Sequence, residues 1–202
     1  HRSDLYGEAG RWVEPLVTYR WPSYDVLFPG LERRLDHEYF GVSSDRLHTV
    51  VGAAVCQRAG SALLLGRKAI AVTANSVQLN DGSDVRGRVV IDARGPSRID
   101  ATARAGYQKF LGLELELEEP HGLARPILMD ARVDQSSGYR FFYVLPMAAR
   151  RALVEDTYFH DSPDLDRDRL RHEVTDYAGR RGWSVAAVSY THLRAHETVL
   201  DL

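Results

Sequence analysis

Two adjacent carboxylates, Glu155 and Asp156, stand inside the run ALVEDTYF from Ala152 to Phe159, whose other members are apolar, aromatic or β-branched. The chemistry open to such a pair is that of the carboxyl group, which gives or takes a proton or holds a cation. A short run of this composition makes a strand covered on both faces. Side chains alternate along a strand, so Leu153, Glu155, Thr157 and Phe159 share one face while Val154, Asp156 and Tyr158 share the other. Only one of the two carboxylates can therefore face a given cavity. A carboxylate in an apolar sheet is costly unless it is paired, hydrogen-bonded or protonated, and that cost marks both as candidate site residues. A plainer arrangement fits the same residues: an edge strand whose carboxylates meet solvent or the Arg150/Arg151 pair.

The elements that would position them follow from the flanking pattern. Tyr139 to Leu145 (YRFFYVL) is a second strand, and Met147 to Arg151 joins the two into a hairpin. Ile127 to Val133 is a further strand. In Tyr107 to Glu119, Leu111, Leu113, Leu115 and Leu117 alternate with Gly112, Glu114, Glu116 and Glu118, which predicts a half-exposed strand with its glutamates on a solvated face. Asp164-Leu165-Asp166 opens a helix running to about Gly182 that covers the sheet.

Upstream, residues 1–37 read as extended structure and loops, and their aromatics, Trp12, Trp21, Tyr24 and Phe28, are core by default, with a pocket wall as the other use. A strand from Glu38 to Val42 leads to a helix capped by Ser43 or Ser44, with Leu47, Val50, Val51, Ala54 and Val55 at helical spacing. That is half of a βαβ unit, and its helix start is a natural anion site where Arg46 could meet a phosphate, although a single Arg is more often simply solvated. Ala62 to Leu65, Ala69 to Ala74 and Ser76 to Leu79 are short strand-like runs, and Asp81-Gly82 marks a hairpin turn. VVIDARGP then predicts a buried parallel strand that stops on Asp92 with Gly95-Pro96 behind it, at the sheet edge where open α/β folds bind nucleotides; an ordinary turn explains it equally.

Composition narrows the function. The 202 residues are 44% hydrophobic and 27% charged with a net charge of -2, which excludes a disordered chain and gives no basic field for nucleic acid. The single Cys56 fits a reducing compartment and is expected to be a buried, inert thiol. No apolar run is long enough to span a bilayer and no signal peptide opens the chain, so an integral membrane protein is not expected, while peripheral attachment stays open. His192 and His196 stand one helical turn apart, but Glu197 lies outside the pair, so the pattern is not H-E-x-x-H and no metal site is expected.

Several segments together resemble the bacterial-type lycopene β-cyclase family: YRWPSYDV followed by FPG, YFGVSSDRL, VIDARGP, GYQKFLGLE, PILMDARVDQ, GYRFFYVLP and above all LVEDTYF, in matching order and spacing over most of residues 15–183. The resemblance implies an α/β (α+β) flavoprotein of hydroxylase-like architecture. Residues 1–104 would be part of an FAD/NAD(P)-binding Rossmann-like domain that lacks its amino-terminal dinucleotide fingerprint. Residues 105–183 would be the antiparallel-sheet substrate domain with its covering helix, and 184–202 a tail. From Ser189 that tail, SYTHLRAHET, resembles a peptide translated from sequencing-adapter DNA and is expected to be non-native. The chain is thus expected to be an internal fragment, inactive alone.

For the whole protein the resemblance implies cyclisation of the linear ψ-ends of lycopene to β-rings without net redox change. Reduced FAD is the cofactor and NAD(P)H its reductant. Glu155 matches the family's essential acid and would act as general acid/base, with Asp156 catalytic only in a supporting role. Burial would keep such an acid protonated near neutral pH by raising its pKa from about 4.3. Asp92, Arg94, Gly95 and Pro96 become flavin-site candidates, and Arg46 a weaker one. Phe141, Tyr143 and Trp21 become candidates for an apolar tunnel that takes each chain end of lycopene from a membrane surface. The enzyme would be cytoplasmic and peripherally membrane-associated. The rival expectations are another flavin enzyme of the same fold, a hydroxylase or polyprenyl reductase, and an inactive domain that binds apolar ligands.

Overall fold

The computed structural model describes residues 7–94, 106–136, 138–162 and 164–198, which fall into two compact units, residues 1–46 with 104–202 and residues 47–103. The first unit opens with a short helix, α1 (Glu8–Val13). It is built on β1 (Tyr19–Trp21), β2 (Tyr24–Phe28), β3 (Leu31–Leu35), β4 (Tyr39–Gly41), β8 (Gly106–Leu117), β9 (Ile127–Asp130), β10 (Arg140–Ala148), β11 (Arg151–His160) and β12 (Val185–Thr198). Seven of these form one sheet in the order β12-β8-β11-β10-β9-β2-β3, antiparallel at every step except β2 with β9; β1 and β4 pair separately.

The expected hairpin is β10–β11, with Tyr143 opposite Glu155 and Phe142 opposite Asp156. It lies inside the sheet, since β8 pairs along the other side of β11, so the edge-strand arrangement does not hold. Arg150 and Arg151 pair with Glu119 and Glu114 instead of the two carboxylates. Gly138 enters the hairpin at φ 116°, and a Cβ there would lie 2.5 Å from the Phe159 carbonyl oxygen, so only glycine fits this approach.

The leucine face of β8 is buried as its alternation predicts, Leu111, Leu113 and Leu115 being at most 1% exposed. It packs with Phe142, Val144 and Val154 under α3 (Arg167–Arg180), whose Leu170, Val174, Tyr177 and Ala178 make one apolar stripe at i, i+4, i+7 and i+8. The Asp166 side chain caps α3 by accepting the Arg169 backbone N–H at 3.0 Å. Phe142 and Tyr177 stack with ring centroids 4.1 Å apart.

In the second unit, β5 (Ala69–Val72), β6 (Ser76–Leu79) and β7 (Asp84–Arg86) form a three-stranded antiparallel sheet, with Asp81-Gly82 turning β6 into β7. Three features differ from what the sequence pattern predicts. Ala62 to Leu65 forms no strand, and Leu63, Leu64 and Leu65 are exposed. Val89 to Asp92 does not form the expected strand either: Val89 and Ile91 are 74% and 87% exposed, because a parallel strand needs neighbours, and the described residues of this unit offer only short antiparallel ones. Cys56 is exposed, since it lies on α2 (Ser44–Gln57), none of whose residues is buried.

Candidate active site

Strand alternation separates the two carboxylates as expected, and the structure gives them opposite surroundings. Asp156 points to the α3 side and is 0% exposed. Arg140 holds both of its oxygens, donating from Nε at 2.8 Å and from Nη2 at 2.7 Å, and the same guanidinium reaches Glu173 on α3 at 3.0 Å. Burial pushes the Asp156 carboxyl up, against the pull of the Arg140 donors. With no exposed surface and both oxygens accepting from one guanidinium, Asp156 is tied firmly to Arg140. Nearby on the same side, Asp130 accepts from the Tyr177 hydroxyl at 2.9 Å and from Arg132 and Arg181. Burial would raise that carboxyl, but the hydrogen bonds hold it below its ordinary value.

Glu155 points to the other face, where it is half-buried. The Thr157 hydroxyl donates to its Oε1 at 2.9 Å, and Oε2 has no hydrogen-bond partner among the described residues. Burial pushes the Glu155 carboxyl up; the Thr157 bond opposes the shift and the Asp156 charge adds to it. Opposite on β8 stands Gly112, which places no side chain on that flank. Opposite on β10 stands Tyr143, whose hydroxyl lies 2.8 Å from that of Tyr39 on β4 and is pushed far up, chiefly by burial.

The same face is aromatic. Tyr39 stacks on Trp21 at 6.2 Å and meets Tyr24 edge-on at 6.0 Å, and Trp21 stacks on Tyr19 at 5.8 Å. Two positions along β10 from Tyr143, Phe141 packs against Tyr139 at 5.9 Å, and Tyr139 packs against Phe159 at 6.2 Å. Of the residues expected from sequence, Glu155, Tyr143, Phe141 and Trp21 thus share one face of one unit, and Asp156 lies on the opposite face. Sequence reasoning missed Tyr39, Thr157 and Arg140. Thr157 was open to discovery, being two residues from Glu155 on the same strand face, whereas the Tyr39–Tyr143 contact spans 104 residues and left no local signal.

The flavin candidates behave differently. Asp92 and Arg94 are exposed and pair with each other, Arg94 donating to Asp92 from Nε at 2.8 Å and Nη2 at 2.7 Å. This holds the Asp92 carboxyl down at about 2. Another Arg94 nitrogen donates to the Ala69 carbonyl at 3.0 Å. Both side chains are thus engaged within their own neighbourhood. Gly95 and Pro96, like the side chains of His192 and His196, lie outside the described residues. Arg46 donates from Nε to the Pro15 carbonyl at 2.8 Å, and its backbone N–H is capped by Ser43 Oγ at 3.2 Å.

Comparison with known proteins gives this geometry a setting. The family model described as lycopene cyclase protein matches residues 3–192. The chain is 42% identical over 186 residues to the lycopene beta-cyclase of Pantoea ananas, a match covering 92% of this chain and 47% of that protein. It is 37% identical over 190 residues to the lycopene beta-cyclase of a Paracoccus species, covering 93% and 47%. The chain therefore spans about half the length of the curated relatives it matches. Among solved structures, a peptidyl tryptophan dihydroxylase essential for tryptophylquinone cofactor biogenesis superposes with a TM-score of 0.53 at 17% identity, covering 91% of this chain and 43% of that one, a likeness of fold alone. With nearly its whole length matched by one family model, the chain belongs to the lycopene cyclase family.

Proposed function

We propose that the whole protein is a lycopene β-cyclase and that Glu155 is its general acid and base. The observation that carries this is the placement of Glu155: half-buried on the aromatic face of the sheet, held by one hydroxyl, with burial raising its pKa. A protonated Glu155 gives its proton to the terminal alkene of a ψ-end. The carbocation closes on the neighbouring double bond, and a ring proton returns to the carboxylate, so the sequence is an isomerisation with no net redox change. Rings such as Phe141, Tyr143 and Trp21 suit an apolar substrate and a positive charge in transit, because their π-faces attract cations. Asp156 supports the site by fixing the hairpin from behind through Arg140.

The cofactor belonging to this reading is FAD in its reduced form, with NAD(P)H as reductant. Lycopene dissolves in membranes, so the reading also places the enzyme at a membrane surface on the cytoplasmic side. Among the described residues, no helix is long and apolar enough to cross a membrane.

The test expresses the full-length protein in cells that accumulate lycopene, beside its Glu155→Gln variant, and separates the pigments by chromatography. Cyclised β-carotene from the unaltered protein and unreacted lycopene from the variant are expected. Equal cyclisation by both removes Glu155 as the acid, and no cyclisation by either removes the activity.

A further inference from the structure

We propose that Thr157 is the positioning residue of Glu155: its hydroxyl holds Oε1 and so commits the acid proton to Oε2, the oxygen left available on the aromatic face. The inference rests on the acid role given to Glu155 above. Thr157 is 0% exposed and lies two residues along β11 on the same face, so its hydroxyl has little freedom and is spent on the 2.9 Å bond to Oε1. A hydroxyl that donates to Oε1 occupies that oxygen as acceptor. In the protonated acid the O–H therefore sits on Oε2, which has no other partner among the described residues.

When that O–H breaks and the proton forms a C–H bond on the substrate, the same Thr157 bond becomes charge-assisted and strengthens. When a ring C–H later breaks, the proton returns to Oε2 and the bond relaxes. The contact thus favours the state formed during proton transfer over the resting state, which is the condition for accelerating a step.

Other groups that face Glu155 do not replace this donor. Tyr143 on β10 engages Tyr39 on β4. Glu114 on β8 is paired with Arg151 of β11 at 3.3 Å, and Asp156 lies on the opposite face in the hold of Arg140.

The test uses the full-length protein as Thr157→Val, which keeps the shape of the buried side chain, and Thr157→Ser, which keeps the hydroxyl. The Glu155 carboxyl is titrated by carbon NMR of glutamate-labelled protein, its resonance identified by its absence from Glu155→Gln. Hydrogen bonds to charged groups are strong enough that Thr157→Val should raise the Glu155 midpoint by about one to two pH units. The alkaline limb of the pH–rate profile should move by the same amount and turnover should fall roughly tenfold. Thr157→Ser should restore both. An unchanged Glu155 midpoint in Thr157→Val overturns the proposal even where Glu155→Gln abolishes cyclisation. A shifted midpoint together with full cyclisation by Glu155→Gln overturns the acid role, and with it the catalytic meaning of the contact.

Discussion

The two faces of the seven-stranded sheet hold neighbouring carboxylates in opposite ways. On the face under α3, Asp156 is enclosed and its two oxygens are matched to the fork of Arg140, which a helix residue, Glu173, braces from the other side. On the other face Glu155 has one hydroxyl donor and a surround of rings. One step along β11 therefore separates a carboxylate held by both oxygens from one held by a single hydroxyl. The polarity of the dipeptide matters less than what the fold lays over each side chain. A guanidinium fixes a carboxylate by both oxygens, and a single hydroxyl among aromatics fixes it by one.

The largest effect expected from breaking this contrast is at Arg140. Arg140→Met leaves Asp156 buried without its counter-ion and should cost about 3–5 kcal/mol of unfolding free energy, measured by urea denaturation of the full-length protein. A loss no greater than that of an ordinary surface change would show that the closed face does not depend on this pair. Tyr177→Phe should cost less, about 1–2 kcal/mol: the stack on Phe142 survives while Asp130 loses one donor and keeps Arg132 and Arg181. Neither loss is expected from Glu155→Gln, and equal costs on the two faces would erase the distinction.

What the sequence disclosed was whatever local pattern decides. Leucine alternation in β8, the aromatic runs of the hairpin and the spacing on α3 each fix an element and the face it buries, and alternation alone assigned Glu155 and Asp156 to opposite sides. What stayed hidden depends on register between distant segments. Arg140 reads as one more charged residue until β10 pairs with β11, and Tyr39 becomes part of the site only when β4 comes to lie beside Tyr143. The failed expectation at Val89 to Asp92 has the same origin, since a buried strand is a property of its neighbours as much as of its own residues. Alternation within LVEDTYF separates its two carboxylates, and the pairing of strands supplies the partners that each one meets.

The smallest effect expected is also the one that separates the faces most cleanly by sign. Burial raises the Glu155 pKa above its ordinary value near 4.3, so between those two values the folded protein binds more protons than the unfolded chain. Its contribution to stability is full below that window and is lost as pH rises through it. Glu155→Gln removes this titration and should flatten the stability curve over the window. The variant should end more stable than the unaltered protein above the window by about 1 kcal/mol or less, since solvent reaches a half-buried carboxyl and reduces the full effect. Unfolding midpoints of the two full-length proteins, compared from pH about 4 upward, measure the difference. A variant less stable than the parent at neutral pH would mean that Glu155 is held as a satisfied anion, and the open face would then be no different in kind from the closed one.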